Sequence, residues 1–445
     1  MGLLSKIRIF FQRSGARAAA RNLAWLVCEK IVRLVLGVGV GFWIARYLGP
    51  TQLGTLSYCT AIVTLFAFLP SLGLDAIVRR ELLERPSKTA DLLSSALLLR
   101  LIAGGLAYSI LFFFALSRGG IQTEEGSVLI IMGFLLFQPA LMVPDLWLQT
   151  FLHAPWSVSA HLISLLICSL ARVLLINSGG TMAQFAVLLV MEAALTTAGI
   201  WLAARHLGLR SFLSIKHRRM MGDLLRHSWP LMFAGLAIVI YMKIDEVMLR
   251  HMAGSSAVGT YAAAAKLSEI WYFLPMVLAS SVVPGLTRLR MRDPVEYHSR
   301  LQQYFDLSAG AAYLLSIPIA IGAPWIVKIA YGSEFVNAGP ILMVHIWSSV
   351  FVFVGTAMAH WFVMERMLNF YLVTTIAGAA VNILLNLYAI PRWGGLGAAY
   401  ATLVSYAVAG WIATFLHPAV AVRRTALMQT RAVLLPLFVW RYLRH

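Results

Sequence analysis

Charged residues are scarce in this chain of 445 residues, of which only 12% are Asp, Glu, Lys or Arg. A soluble domain typically has about 25% charged and about 45–50% apolar residues, whereas 60% of this chain is hydrophobic. The shortage of charge excludes a soluble domain with a membrane tail. It predicts instead an integral membrane protein that crosses the bilayer many times.

Cysteine and catalytic motifs are also lacking. Cys28, Cys59 and Cys168 each lie alone in an apolar stretch, which offers neither metal-ligand spacing nor a disulfide framework. The sequence contains no nucleophile elbow, no HExxH motif and no aspartate-rich cluster in a large loop. We therefore expect a transporter and not an enzyme, with no catalytic residues, no metal site and no cofactor, although coupling to H+ or Na+ stays open.

Apolar segments of spanning length are abundant. About 20 mostly apolar residues are needed to cross a bilayer as a helix, and twelve segments meet this requirement. They lie at about 23–45, 53–74, 91–117, 127–147, 156–177 and 181–204 in the first half, and at about 229–252, 257–284, 302–322, 336–361, 368–390 and 395–417 in the second. The sequence thus predicts an all-α membrane protein of about twelve transmembrane helices.

Basic residues follow an alternating pattern between these segments. One set of alternate loops and both termini hold 25 Lys and Arg residues, whereas the opposite loops hold 5. Lys and Arg are enriched on the cytoplasmic side of membrane proteins, so both termini are predicted to be cytoplasmic. This placement accounts for most of the net charge of +18 without a nucleic-acid partner.

The same pattern divides the chain into five parts. We expect a basic cytoplasmic segment, a six-helix lobe, an amphipathic cytoplasmic linker, a second six-helix lobe and a basic interfacial tail, at 1–22, 23–204, 205–228, 229–417 and 418–445. The linker and the tail interleave apolar and basic residues, as helices that lie in the membrane interface do.

An internal repeat relates the two predicted lobes. A Gly-Thr pair begins the second span at Gly54 and the eighth span at Gly259, and a Phe-Leu-Pro triplet follows each pair at the same spacing. Because the two copies are six spans apart, they share one orientation. This predicts parallel six-helix lobes with the substrate path at their interface, which is an arrangement typical of transporters.

Ionisable residues inside the predicted spans are the main candidates for function, since charges are costly in a bilayer and usually mark ligand or ion paths. Arg100 lies in the middle of a span without an acidic neighbour on its own helix, so it is the first candidate for contact with an anionic ligand. The other basic candidates are Lys30, Arg33, Lys243 and Lys266. Each of these residues has the alternative role of a structural ion-pair partner.

Acidic and amide side chains complete the set of candidates. Four acidic residues are candidate proton or sodium sites, namely Asp245, Glu246, Glu269 and Glu192. Asn382 and Asn386 are four residues apart, on one face of the eleventh span, and either bind sugar hydroxyls or join helices by hydrogen bonds.

Several motifs together resemble a known family. The first half contains NLAW (22–25), IARYLGP (44–50), LGTLSY (53–58), LGLD (72–75) and RRE (79–81), and the second half contains IDEVML (244–249), VGTY (258–261), AKLSE (265–269) and GGLGAA (394–399). This set resembles oligosaccharide flippases of the O-antigen (Wzx) type, within the multidrug/oligosaccharidyl-lipid/polysaccharide exporter superfamily.

The resemblance implies a specific function. Such proteins move undecaprenyl-pyrophosphate-linked oligosaccharides from the inner to the outer leaflet of the bacterial cytoplasmic membrane by alternating access, for O-antigen, capsule or exopolysaccharide synthesis. The resemblance also implies a V-shaped pair of six-helix lobes around a central cavity, where embedded Arg and Lys residues would contact the pyrophosphate. The bilayer, a polysaccharide polymerase and a chain-length regulator are the further partners that it implies.

Two other functions compete with this one. A drug or cation antiporter of the same superfamily should have an acidic binding lobe, whereas the predicted spans hold six basic against five acidic residues. A polysaccharide polymerase or ligase should have a large extracytoplasmic loop, whereas the longest polar connections here are predicted to be cytoplasmic.

Overall fold

The computed structural model describes residues 14–209 and 218–434, and within these two ranges the chain is helical, without β-strands. Residues 14–209 contain nine α-helices, which we number in chain order. They are α1 (Ser14–Phe66), α2 (Phe68–Ser71), α3 (Leu74–Glu84), α4 (Thr89–Ser117), α5 (Glu124–Gly133), α6 (Gln138–Leu141), α7 (Val143–Thr150), α8 (Ala154–Asn177) and α9 (Met182–His206).

The second half contains eight α-helices. They are α10 (Arg218–Met252), α11 (Ser255–Glu269), α12 (Leu274–Arg292), α13 (Pro294–Tyr331), α14 (Ala338–His345), α15 (Ser348–Met364), α16 (Leu368–Gly410) and α17 (Val420–Val433). Short 3-10 turns join several of them, including Ile270–Phe273 between α11 and α12. The predicted all-α class is therefore confirmed.

Two of the long helices contain a break. Helix α1 is not helical at Gly49, whose φ of 67° lies in the left-handed region, and Pro50 follows directly. Helix α16 is not helical at Gly394, whose φ is 53°. Glycine adopts a positive φ without the penalty of a β-carbon, so each glycine allows the chain to change direction between two helical segments.

By length and apolar composition, nine helical stretches of the described residues could cross a membrane. Two of the nine, Val35–Glu84 and Leu368–Leu416, contain the breaks described above. Helix α10 is long enough but is not among the nine, and its second half carries Lys243, Asp245 and Glu246. A multi-pass membrane protein is confirmed, while the number twelve stays a prediction.

The helices form two compact units. The first contains the described residues up to Tyr47 together with Ile62–Gly235. Its core packs one face of α3 against α4 and α7, because the apolar residues of α3 recur at a helical spacing of four. Leu74, Val78 and Leu82 are fully buried there.

The second unit contains Leu48–Ala61 and the described residues from Leu236 onward. Its core packs α13 against α12, α15 and α17, with Tyr304 and Phe305 of α13 among the largest buried side chains. The predicted division into five parts stays a prediction. Within it, the linker segment 210–217 and the tail segment 435–445 lie outside the described residues.

The two glycines of the sequence repeat meet inside the second unit. A β-carbon at Gly54 would collide with the backbone of Ser255, and one at Gly259 would collide with the backbone of Pro50. The contact is reciprocal, since Pro50 and Ser255 are separated by the same 205 positions as the two glycines. A reciprocal contact between corresponding residues is what local two-fold symmetry produces, and it supports the predicted duplication.

Candidate functional site

The buried carboxylate of Asp245 is the centre of a polar cluster in the second unit. Asp245 lies on α10 and is 1% exposed. Its Oδ1 accepts a hydrogen bond from Asn386 at 2.5 Å, and its Oδ2 accepts from Tyr261 at 2.6 Å and from Thr402 at 2.5 Å. All three donors are uncharged. The carboxylate is therefore solvated by hydroxyl and amide groups, without a cation among these three partners.

Asn382 and Asn386 belong to the same cluster. Both are fully buried on α16, where a spacing of four residues places them on one helix face. Asn386 also donates to Asn382 at 3.1 Å, and Asn382 donates to Ser405 at 3.3 Å. Their burial beside Asp245 favours a part in this network, while the predicted contact with sugar hydroxyls stays a prediction.

One acceptor in the cluster is unsatisfied. The side-chain oxygen of Asn386 is buried and has no hydrogen-bond partner among the residues that the structure describes. A buried acceptor without a partner costs about 1–3 kcal/mol, so the position favours a ligand that supplies positive charge. Carboxylate, amide and hydroxyl oxygens are the groups that hard cations prefer.

The ammonium group of Lys243 on α10 lies near two further carboxylates, one on the next turn of the same helix and one at the end of α11. Its Nζ lies 3.0 Å from Glu246 and 3.9 Å from Glu269. Glu246 is 5% exposed, and Glu269 is half-buried at the end of α11. Lys266, which is exposed, interacts electrostatically with Glu269. Lys243 thus forms an ion pair with Glu246 three residues along its own helix and also lies near Glu269, which interacts with Lys266.

The formal charges of this region do not cancel. Three carboxylates stand against two lysines, so the group of Asp245, Glu246, Glu269, Lys243 and Lys266 carries one net negative charge when all are ionised. A single bound proton or monovalent cation would neutralise it. Neutrality matters here because uncompensated charge in a low-dielectric interior is costly.

Arg100, the first basic candidate, is engaged in the first unit. It is 2% exposed, and its guanidinium lies 2.5 Å from the carboxylate of Asp75. It also donates to the backbone carbonyls of Ser71 and Pro139 at 3.2 and 3.0 Å. These bonds tie α4 to α2, α3 and α6, which favours a structural role. Contact with an anionic ligand stays a prediction.

The remaining candidates lie on two helices of the first unit, α1 and α9. Glu192 of α9 accepts from Arg172 of α8 at 2.6 Å, which pairs the two helices directly. Arg33 of α1 is half-buried. Lys30 falls within the same helix, but its side chain lies outside the described residues. The roles of Arg33 and Lys30 in substrate contact therefore stay predictions.

Sequence reasoning missed three partners that the fold brings to these charges. Thr402 and Tyr261 reach Asp245 from 157 and 16 positions away, and Asp75 reaches Arg100 from 25 positions away. Tyr261 and Asp75 were within the family motifs, where they carried no assigned role. Thr402 gave no signal, because a single threonine in an apolar helix is ordinary.

Comparison with known proteins gives a family and a fold. Residues 19–290, more than half of the chain, match the family described as polysaccharide biosynthesis protein. Two curated relatives come from Haloferax volcanii. The probable low-salt glycan biosynthesis flippase Agl15 is 23% identical over 87% of this chain and 82% of its own length, and the probable flippase AglR is 23% identical over 88% and 80%.

Solved transporters share the fold. The lipid II flippase MurJ in an inward closed conformation has a TM-score of 0.70 at 12% identity, covering 94% of this chain and 93% of its own. An inward-facing multidrug resistance MATE family transporter of the MOP superfamily has a TM-score of 0.69 at 16% identity, covering 92% and 99%. At these identities the likeness shows the fold alone.

Proposed function

Because this chain belongs to the family of polysaccharide biosynthesis proteins, we propose that it is a flippase for a lipid-linked oligosaccharide. The two Haloferax relatives, both named as probable flippases, match it over most of its length and not in one half only. In its finer form, the proposal is that undecaprenyl-pyrophosphate-linked repeat units move from the inner to the outer leaflet of a bacterial cytoplasmic membrane by alternating access.

The observation that carries the proposal is the buried network around Asp245. A carboxylate that is 1% exposed in an apolar helical unit is expensive to maintain. A structural scaffold would gain more stability from apolar packing at this position. A transporter has a use for it, because a site that binds a cation in one state and releases it in another can drive a cycle.

The proposed roles divide the charged residues. Asp245, with the oxygens of Asn386, Asn382 and Thr402, would hold the coupling cation, which is H+ or Na+. Glu246 and Glu269 would share the positive charge of Lys243 and so set the net charge of the region. Glu192 was a fourth coupling candidate, but its pairing with Arg172 favours helix stabilisation.

The pyrophosphate of the substrate requires cationic partners. Arg33 and Lys30 are the first candidates, since Arg100 is fully buried against Asp75. Lys243 and Lys266 lie among three carboxylates and are weaker candidates, because the region carries net negative charge. O-antigen, capsule or exopolysaccharide synthesis would be the pathway, with a polymerase and a chain-length regulator as partners and both termini cytoplasmic.

A second candidate function is export of an organic cation. The observation in its favour is the excess of one carboxylate in the second unit, which is the acidic site that a drug or cation antiporter needs. The family match and both curated relatives favour the oligosaccharide instead. The two functions separate in one assay, since a cation exporter protects cells against ethidium and a glycan flippase does not.

The test of the proposed function deletes the gene and measures surface glycan and lipid-linked oligosaccharide. We expect surface glycan to be lost, lipid-linked oligosaccharide to accumulate, and ethidium sensitivity to stay unchanged. Wild-type protein should restore the glycan, whereas the Asp245→Asn variant should not. A polymerase mutant would still display single repeat units at the surface, so their presence in the deletion strain would contradict a flippase.

A further inference from the structure

A cavity of about 520 Å³ opens inside the second unit, next to the charged cluster but separate from it. Its volume falls in the range of about 300–1,000 Å³ that small-molecule sites occupy. Four tyrosines contribute to its wall, from α10, from the turn before α12 and from both ends of α16. They are Tyr241, Tyr272, Tyr371 and Tyr406, and we call this cavity the tyrosine pocket.

The phenol hydroxyls of the tyrosine pocket are poorly used by the protein. Tyr272 has a buried hydroxyl with no hydrogen-bond partner among the described residues. The hydroxyls of Tyr241 and Tyr406 make no hydrogen bond within that same part of the chain, although their rings contact each other edge to face with centroids 5.2 Å apart. Tyrosine hydroxyls removed from bulk water normally have a hydrogen-bond partner, so the unpaired hydroxyls of Tyr241 and Tyr406 in the wall of the cavity favour a polar ligand.

The rings of the tyrosine pocket define which ligand fits. Aromatic faces from Phe351 and Phe362 accompany the tyrosines, and His360 adds a ring nitrogen to the wall. A pyranose has an apolar face of C–H groups and an edge of hydroxyls, so it stacks on one ring and hydrogen-bonds to the next phenol. A hydrocarbon chain would match the rings but would leave the hydroxyls unsatisfied.

The tyrosine pocket lies beside the cation site. Tyr241 is two residues from Lys243 on α10, and Glu269 interacts electrostatically with both Tyr272 and Tyr406. An organic cation in the pocket would need a carboxylate of its own, whereas Glu269 already faces Lys243 at 3.9 Å. An uncharged, hydroxyl-rich ligand avoids this competition.

We propose that the tyrosine pocket binds a saccharide unit of the transported glycolipid, which rests on the flippase function proposed above. The sugar would stack on the tyrosine rings and take hydrogen bonds from Tyr241 and Tyr406. Its binding next to Asp245 and Lys243 would allow the cation site to respond to a loaded substrate. The pocket is therefore a specificity site for the glycan and not for the lipid.

The test measures binding to the full chain in lipid nanodiscs. Three probes are used: lipid-linked oligosaccharide extracted from the deletion strain, undecaprenyl pyrophosphate without sugar, and tetraphenylphosphonium as an organic cation. Tyr241→Phe and Tyr406→Phe remove a hydroxyl and retain the ring, so folding should be preserved. Tyr400→Phe, which alters an exposed tyrosine of α16 outside the pocket, is the matched control.

We expect each pocket variant to bind the lipid-linked oligosaccharide about three- to tenfold more weakly, the loss that one hydrogen bond brings. Binding of undecaprenyl pyrophosphate should be unchanged in all variants. Equal loss for both lipids, no loss for either, or loss for tetraphenylphosphonium alone would each overturn the saccharide assignment. If the wild-type chain bound no oligosaccharide lipid, the proposed function itself would fail, which separates the two claims.

Discussion

The buried arginines of the first compact unit and the buried Asp245 of the second have different partners. In the first unit Arg100 lies 2.5 Å from Asp75 and Arg172 lies 2.6 Å from Glu192. In the second unit the carboxylate of Asp245 accepts hydrogen bonds from three uncharged donors. Each arginine pair is electrically complete, whereas the site of Asp245 gains from one more positive charge.

The first unit also contains a buried carboxylate, Asp145. Its Oδ2 accepts from Gln149, and its Oδ1 has no hydrogen-bond partner among the described residues.

The partners of a buried charge therefore distinguish structural from functional residues better than the position of the charge within a predicted span does. A one-to-one pair between helices fixes their register and has no reason to bind or release an ion. A carboxylate that accepts from uncharged amide and hydroxyl donors, beside one unsatisfied amide oxygen, has such a reason. We therefore assign helix stabilisation to the pairs of the first unit and the coupling site to the second unit.

The largest effect on cation binding is expected from the Asp245→Asn variant, which removes the charge of the buried carboxylate. Replacing a residue that orients a ligand of a bound cation typically lowers cation affinity about 10- to 100-fold, so removal of the ligand itself should lower it at least about 100-fold. Asparagine has nearly the same shape, and the protein should remain folded. Thermal unfolding of the purified chain, titrated with Na+ at fixed pH and with H+ without Na+, measures the effect as a lost rise in Tm.

The control for this titration is Glu296→Gln, which neutralises an exposed carboxylate paired with Arg300 at the surface. It should retain the full rise in Tm. If the Asp245→Asn variant also retained it, the cation would bind elsewhere and the assignment to the second unit would be wrong.

A second test applies to the first unit, where Asp75→Asn removes the carboxylate that faces Arg100. The guanidinium would then be buried without its countercharge. Because the Asp75 side chain is itself 65% exposed, solvent screens part of the pair. We expect a loss of about 1–3 kcal/mol in the free energy of unfolding, measured by denaturation in detergent, with unchanged transport per folded molecule.

A stable Asp75→Asn or Arg100→Met variant that no longer transports would contradict the structural role of this pair. That outcome would make Arg100 a ligand contact, as the sequence first suggested. It would remove the distinction between the two units.

A third test examines the site in the second unit with Thr402→Val. This substitution removes the hydroxyl that donates to Asp245 and retains the branched shape of the side chain. We expect cation affinity to fall about tenfold, at the lower end of the range for groups that support a bound ion. Thr287→Val is the matched control, because the Thr287 hydroxyl is exposed and bonds only to the backbone of its own helix turn. An equal effect of both substitutions on the Tm titration would indicate helix destabilisation instead.

The smallest expected effect on the cation response belongs to Glu192→Gln. The Arg172–Glu192 pair is mostly buried, with side-chain exposures of 8% and 21%, so loss of the carboxylate should lower the free energy of unfolding by about 1–3 kcal/mol. The variant should nevertheless show unchanged dependence on Na+ and pH. A lost cation response here would move the coupling site into the first unit.

Much of the fold could be predicted from sequence because bilayer physics leaves few choices. Apolar length predicts the helices, and the repeat that includes Gly54 and Gly259 predicts a duplication, which the reciprocal contact of these two glycines supports. The count of helices was harder, since the breaks at Gly49 and Gly394 are changes of backbone angle within continuous helical stretches.

The site could be predicted only in part. Asp245 was a candidate because a charge in an apolar span is conspicuous, and Asn382 and Asn386 because their spacing is helical. Thr402 could not be found, since its role depends on a contact across 157 positions. The partner of Arg100 could not be identified from the sequence, because Asp75 lies on a different helix and shares no periodic pattern with Arg100.

The most direct measurement of the central claim uses the purified chain alone in proteoliposomes with fluorescent lipid-linked oligosaccharide. The fraction of label that an external glycosidase can reach reports transfer between leaflets. We predict transfer that requires the protein, accelerates with a Na+ or H+ gradient and loses that acceleration in the Asp245→Asn variant. Absence of transfer by folded protein, or the same gradient response in that variant, would contradict the account.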